Sequence, residues 1–350
     1  MMAGPARISA VATAVPEFVL HQSDVIARVR EVFTPNVPDF DRFASVYANA
    51  GVATRYSCVP LEWYGRPHTF GERNDLYIEN SLQLLERVAA ALLDQAALTT
   101  NDIDTLVVVS TTGMATPSLD ALLIERMGLR RDIERLPVFG LGCAGGVSGL
   151  ARAAQLALAR PGGRVMMLVV ELCALTFQVD DTSKSNIIAT VLFGDGAAGA
   201  LVACGGGDGP AIVDWAEHTW PNSLDVMGWS VGENGLGVKF SRDIPSLVRD
   251  QLAAPAGAFL QRNGLTPADI DHHVCHPGGG KVLDALEHVF GLTHGALTVS
   301  RAVMRDYGNM SAATVLFVLE ATLARAPEGR FLVSALGPGF TAAFTLLEAA

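Results

Sequence analysis

No uninterrupted apolar run in this chain reaches the ~18 residues that crossing a bilayer as a helix requires, so no membrane span is expected. Cysteine is scarce and scattered. The five present (Cys58, Cys143, Cys173, Cys204 and Cys275) are odd in number and contain no CxxC pair. That pattern argues against a disulfide framework and a structural zinc site, and makes a reducing cytoplasm the expected compartment. Charge is thin as well: 17% of residues, with a formal net charge of -11. Such a chain is unsuited to wholesale nucleic-acid binding, which depends on neutralising phosphates. The beginning of the chain lacks the strongly basic region and long apolar core of a signal peptide; despite Arg7, it reads as a first buried strand, about Ala6 to Ala14.

What is present is apolar. Half of the 350 residues are hydrophobic, enough for a large core and for a further buried face between subunits, so a homodimer is expected. The length exceeds that of a usual single core and points to two domains or one duplicated domain.

The run Val138-Phe139-Gly140-Leu141-Gly142-Cys143-Ala144-Gly145-Gly146 reads as a strand, a sharp turn and the start of a helix continuing to about Ala159. Cys143 would then lie at a helix N-terminus, which favours thiolate over thiol. A buried, inert cysteine would satisfy the same pattern. Two residues downstream give the thiol possible partners. His276 follows Asp271-His272-His273-Val274-Cys275 and precedes Pro277-Gly278-Gly279-Gly280, so it should stand at a strand end. Asn309 lies in Tyr307-Gly308-Asn309-Met310-Ser311, a turn into a helix running to about Ala326. Each alone could be an ordinary turn residue. Together they form a nucleophile, a proton acceptor and a hydrogen-bond donor.

The sequence also carries a duplication. Leu98-Thr-Thr-Asn-Asp102-Ile103-Asp104 returns as Leu265-Thr-Pro-Ala-Asp269-Ile270-Asp271, and from Asp102 to Asp269 the offset is 167 residues. Arg160-Pro161-Gly162-Gly163-Arg164 returns as Ala326-Pro327-Glu328-Gly329-Arg330, and from Arg164 to Arg330 the offset is 166. Each half alternates strands and helices and is expected to form a mostly parallel sheet covered by helices. In this register Cys143 and Asn309 occupy equivalent turns and should face one another between the halves.

Gly142-Cys143-Ala144-Gly145-Gly146, Phe193-Gly194-Asp195-Gly196, His276-Pro277-Gly278-Gly279, Gly308-Asn309-Met310-Ser311-Ala312 and Gly337-Pro338-Gly339-Phe340 together resemble the type III polyketide synthases, the chalcone synthase-like branch of the thiolase superfamily. The resemblance implies an α/β thiolase fold of five layers, αβαβα, built from duplicated halves spanning 1–205 and 206–350. It implies an acyltransferase that uses acyl-CoA and malonyl-CoA as substrates, with no metal or other cofactor. Cys143 would carry the acyl chain; His276 and Asn309 would support decarboxylation and condensation. Phe193 matches a gatekeeping phenylalanine. Cys173, Thr176, Ala189 and Ser311 match cavity positions with small side chains, and Val238, or Phe240 after a small shift of register, matches a second gating phenylalanine. Arg42 matches a CoA-contacting cation, whereas Ser45 and Asn49 stand where cations are usual, and Gly278 and Gly279 would receive the pantetheine arm. The small residues and Val238 favour an aliphatic acyl-CoA starter and alkylpyrone- or alkylresorcinol-like products. A ketoacyl-acyl-carrier-protein synthase III-like enzyme and a catalytically silent acyl-binding or scaffold subunit are the alternatives. The Pro-Gly-Gly after His276 weighs against the first and the intact Cys, His and Asn against the second.

Overall fold

The computed structural model describes residues 4–33, 47, 49–205, 208–241, 243–325 and 328–349. Its centre is a nine-stranded sheet in the order β11-β12-β13-β8-β1-β7-β6-β4-β5. The strands are β1 (Ala6–Ala14), β4 (Thr105–Val109), β5 (Glu134–Val138), β6 (Arg164–Leu172), β7 (Asp195–Cys204), β8 (Ala211–Thr219), β11 (His272–Cys275), β12 (Gly329–Gly337) and β13 (Thr341–Ala349). Two short antiparallel pairs lie outside it: β2 (Phe18–His21) with β3 (Thr54–Ser57), and β9 (Met227–Gly232) with β10 (Gly235–Phe240).

The sheet has two wings, joined among the described residues by two residue pairs, Ala6 with Ile212 and Arg7 with Ala211. Within each wing the pairing repeats. In the first, β4–β6 is parallel and β6–β7 and β7–β1 are antiparallel; in the second, β11–β12 is parallel and β12–β13 and β13–β8 are antiparallel. The wings are therefore mixed, not mostly parallel. In the second, β12 runs directly into β13 through Pro338–Phe340, too short for the crossover that parallel strands need. The repeat extends to side chains: Thr99 with Asp102, and Thr266 with Asp269, form the same capping box before β4 and β11.

Period-two alternation sorts the buried strand residues onto two faces. Val107, Val109, Met167, Val169, Ala198, Ala200, Val333 and Ala335 join one core with α4 (Gly145–Ala159) and α10 (Thr314–Leu323). Leu106, Val108, Met166, Leu168, Leu332, Leu336 and Phe344 join the other, with α2 (Phe70–Gln95), α3 (Leu119–Met127), α6 (Ile244–Gln251), α7 (Ala253–Arg262) and α8 (Gly280–Val289). Because α4 and α10 touch strands of both wings, they form the middle of five layers, αβαβα. Each fully buried Val or Leu contributes roughly 1.5–3 kcal/mol. The central packing needs small residues: a Cβ at Gly146 would collide with the Ala312 carbonyl oxygen, so Gly146 lets α4 approach the turn that precedes α10. The remaining helices are α1 (Gln22–Phe33), α5 (Lys184–Leu192) and α9 (Thr298–Tyr307). Among the described residues no helix is long and apolar enough to cross a membrane, and all five cysteines are free.

Candidate active site

Cys143 lies in a single 3-10 turn, Gly142–Ala144, between β5 and α4. Gly142 takes φ +47° and donates its N–H to Thr111 Oγ1 at 3.1 Å. The corresponding turn of the second half is Ser311–Ala313, opened by Ser311 at the same φ of +47°. Cys143 is thus matched by Ala312, not by Asn309. Asn309 sits three residues earlier than the repeat places it, on an isolated bridge to Phe193: its N–H donates to the Leu192 carbonyl at 2.7 Å, and its carbonyl accepts the Gly194 N–H at 3.1 Å. Asn309 Oδ1 accepts the Ser311 N–H at 2.9 Å and so holds this turn in its left-handed conformation. Its Nδ2 has only a long contact, 3.5 Å, to the Gly278 carbonyl and is available as a donor.

His276 extends β11 by one residue, donating its N–H to the Ser334 carbonyl at 2.8 Å. Its ring is buried, and among the described residues neither ring nitrogen has a hydrogen-bond partner. Cys143, His276 and Asn309 all open on one cavity of about 570 Å³, with Gly278 and Gly279 on its rim and Ile188, Val191, Met227 and Phe240 in its walls.

Burial pushes the Cys143 thiol up to about 12, outweighing a hydrogen bond from Ser311, and a charge on Glu171 would raise it further. Burial likewise pushes His276 down to about 4. Both shifts favour the neutral thiol and the neutral imidazole, opposing the thiolate that a helix N-terminus favours. A proton passing from Sγ to the imidazole would charge both groups together, and opposite charges attract strongly in a buried site. If His276 accepts the Cys143 proton, His276→Ala removes the acceptor and leaves the cost of burial. Iodoacetamide alkylation of Cys143 in that variant is expected to need pH well above the ordinary cysteine value of about 8.5, while the wild type reacts at lower pH. Superimposable pH profiles would exclude His276 as the acceptor.

Glu171 escaped the sequence reading. It is fully buried near the end of β6, where its Oε2 accepts Thr111 N–H at 3.0 Å and Thr112 Oγ1–H at 2.9 Å. Burial nevertheless holds its carboxyl at about 8. The Ser311 hydroxyl reaches both Cys143 and Glu171 and can donate to one at a time. The available signal was one acid inside an otherwise apolar strand, Val165–Leu172.

The other sequence-derived positions divide. Cys173, Thr176, Ala189 and Phe193 line not the large cavity but a second one of about 50 Å³, walled by Leu20, Val25 and Val29. Thr176 spends its hydroxyl on the Cys173 carbonyl at 2.7 Å. Val238 packs against Cys173, Ala189 and Phe193, and Phe240, two residues on, reaches the large cavity. Both gating candidates therefore share one face of β10, and each has a separate place. The Phe193 and Phe240 rings meet at 5.6 Å and 64°, putting one aromatic ring on each cavity. Arg42 and Ser45 lie outside the described residues; Asn49 is exposed on the rim of the large cavity. Asp284, Glu287 and His294 come within 4.8 Å of one another away from this cavity, but Arg301 already pairs with both carboxylates at 2.8 Å.

Residues 1–206 match the N-terminal domain of chalcone and stilbene synthases, and residues 211–348 match the C-terminal domain. The chain belongs to the chalcone and stilbene synthase family. It is a type III polyketide synthase, an acyltransferase of the thiolase fold. It is 41% identical over 350 residues to 1,3,6,8-tetrahydroxynaphthalene synthase of Streptomyces peucetius, covering 97% of this chain and 92% of that protein. It is 29% identical over 352 residues to 3,5-dihydroxyphenylacetyl-CoA synthase of Amycolatopsis balhimycina, covering 98% and 92%. The crystal structure of 1,3,6,8-tetrahydroxynaphthalene synthase from Streptomyces coelicolor superimposes with a TM-score of 0.94 at 29% identity, covering 98% of this chain and 99% of that one. Type III polyketide synthases work on CoA thioesters without a further cofactor.

Proposed function

We propose that this polyketide synthase loads an aliphatic acyl-CoA starter on Cys143 and extends it with malonyl-CoA to alkylpyrone- or alkylresorcinol-like products. The observation that carries the chemistry is the meeting of a thiol, an unpartnered imidazole and a nearly free amide Nδ2 on one cavity. In loading, Cys143 Sγ attacks the starter carbonyl as its proton passes to His276; the carbonyl–sulfur bond to CoA breaks and the CoA thiol departs. In extension, malonyl-CoA loses carbon dioxide, and the electron pair of the broken C–C bond moves onto the thioester as an enolate. A His276 ring N–H and Asn309 Nδ2–H donate to the enolate oxygen, the group that gains charge. The enolate carbon then attacks the acyl–Cys143 thioester and releases the sulfur for the next round. Gly278 and Gly279 offer the pantetheine arm a path without side chains, and Arg42 a cation.

The aliphatic starter is supported by the wall of Ile188, Val191, Leu192 and Met227 and by the second, apolar chamber behind Phe193. A second reading follows from the 41% identical relative: tetrahydroxynaphthalene carries oxygen on alternating ring carbons, a pattern that malonyl units alone can supply. Mass spectrometry of products from malonyl-CoA alone and from a panel of acyl-CoA starters separates the two. Aliphatic starters are expected to outcompete both coumaroyl-CoA and malonyl-only synthesis. Val238→Phe, which fills the space beside Cys173, Ala189 and Phe193, should shorten the longest accepted chain, since overpacking costs about 1–3 kcal/mol. An unchanged chain-length profile, or a product formed from malonyl-CoA alone, would set the aliphatic reading aside.

We take the working unit to be a homodimer. Among the described residues β5 is paired only to β4; Phe139, directly after β5, and Met114, in the loop after β4, are 63% and 55% exposed, a sheet edge and apolar side chains that a second copy would cover.

A further inference from the structure

We infer that Lys281 holds the phosphates of the CoA substrate in this enzyme, supplying charge that Ser45 and Asn49 do not bring. The chain has only three lysines, Lys184, Lys239 and Lys281. Lys281 alone of them lines the cavity onto which Cys143, His276 and Asn309 open, and it is the one cationic side chain in that lining among the described residues. It is exposed and makes no ion pair among them. Lys184 and Lys239 likewise make no ion pair among the described residues, so what singles out Lys281 is its place at the mouth of the reactive cavity.

Its neighbours fit an anion. Lys281 is the second residue of α8, a ten-residue helix whose terminus favours negative charge; the Val282 N–H already donates to the Gly279 carbonyl at 3.0 Å, which leaves the N–H groups of Gly280 and Lys281 without a helical partner. Across the rim stands Asn49: the Asn49 carbonyl lies 3.8 Å from where a Cβ on Gly280 would project, so the two segments touch at the cavity mouth. Asn49 can donate a hydrogen bond but brings no charge, and Lys281 brings the charge but only as a flexible point cation. Together they place a cation and an amide on the side of the mouth reached after the Gly278–Gly280 loop. That is where the phosphate-bearing end of a CoA thioester lies if its acyl end is at Cys143.

This assignment rests on the reading of the substrates as CoA thioesters, and the experiment separates the two. Steady-state kinetics are measured with malonyl-CoA and with the N-acetylcysteamine thioester of malonate, which keeps the reacting end and lacks every phosphate. With Lys281→Ala, KM for malonyl-CoA is expected to rise about tenfold, the scale of one lost hydrogen bond to a charged group, and Lys281→Glu should raise it further. Lys281→Arg should restore it. The rise should disappear with the N-acetylcysteamine thioester, and the salt dependence of the wild-type KM for malonyl-CoA should flatten in Lys281→Ala. An unchanged KM for malonyl-CoA, or an equal rise with both thioesters, overturns the assignment, the second by showing that Lys281 only shapes the mouth. Wild-type enzyme that uses the short thioester and no CoA thioester overturns the substrate reading itself.

Discussion

Cys143→Ala is expected to abolish polyketide formation, a loss of at least about 10⁴-fold on the precedent of deleted nucleophiles, with the melting temperature essentially unchanged. Only the sulfur is removed. The residue is largely buried at a cavity wall, and its turn is held by backbone contacts of Gly142 and Ala144 that alanine keeps. Decarboxylation of malonyl-CoA, which in the proposed mechanism uses His276 and Asn309 but no nucleophile, should survive in this variant. Product analysis beside a decarboxylation assay therefore checks two steps at once. A Cys143→Ala enzyme that still extends a starter would show that no acyl–Cys143 intermediate forms.

Asn309→Ala is expected to lower malonyl-CoA decarboxylation by about 100-fold or more, the scale of removing one oxyanion donor, while loading of the starter on Cys143 continues. The structure adds a complication that alanine alone does not resolve, since Asn309 Oδ1 also holds the Ser311 N–H. Asn309→Asp retains that acceptor and removes the donor. Equal or greater loss in the aspartate variant identifies Nδ2–H as the group that acts; recovery in it would assign Asn309 to holding the turn. Radiolabelled acyl transfer to Cys143 measures loading independently of either.

How much of this was legible beforehand depended on whether a feature is local. Cys143, His276 and Asn309 each announce themselves by small residues and glycine turns in their own neighbourhood, and the structure brings all three to one cavity. The duplication was legible because both halves keep the same capping boxes. Its register at the site was not, because the halves differ in turn length, and only the backbone angles of Gly142 and Ser311 show which turns correspond. The division of the pocket into two chambers was likewise hidden. Period-two alternation gives the face on which Val238 and Phe240 lie, but how far each reaches depends on α5 and the 3-10 turn at Cys173–Thr176, which come from elsewhere in the chain. Glu171 was hidden for a related reason: an acid in an apolar strand becomes meaningful only when Thr111, Thr112 and Ser311 gather around it.

The shared middle layer decides how the molecule can come apart. Because α4 and α10 each rest on strands of both wings, neither half of the chain has a complete interior of its own. A fragment ending near the β7–β8 link would present one apolar side of α4 to water and would need a second fragment to cover it. Repetition in this sequence therefore does not mark modularity: the two repeats work as complementary shells around a single seam, and the reactive cavity lies at one end of that seam.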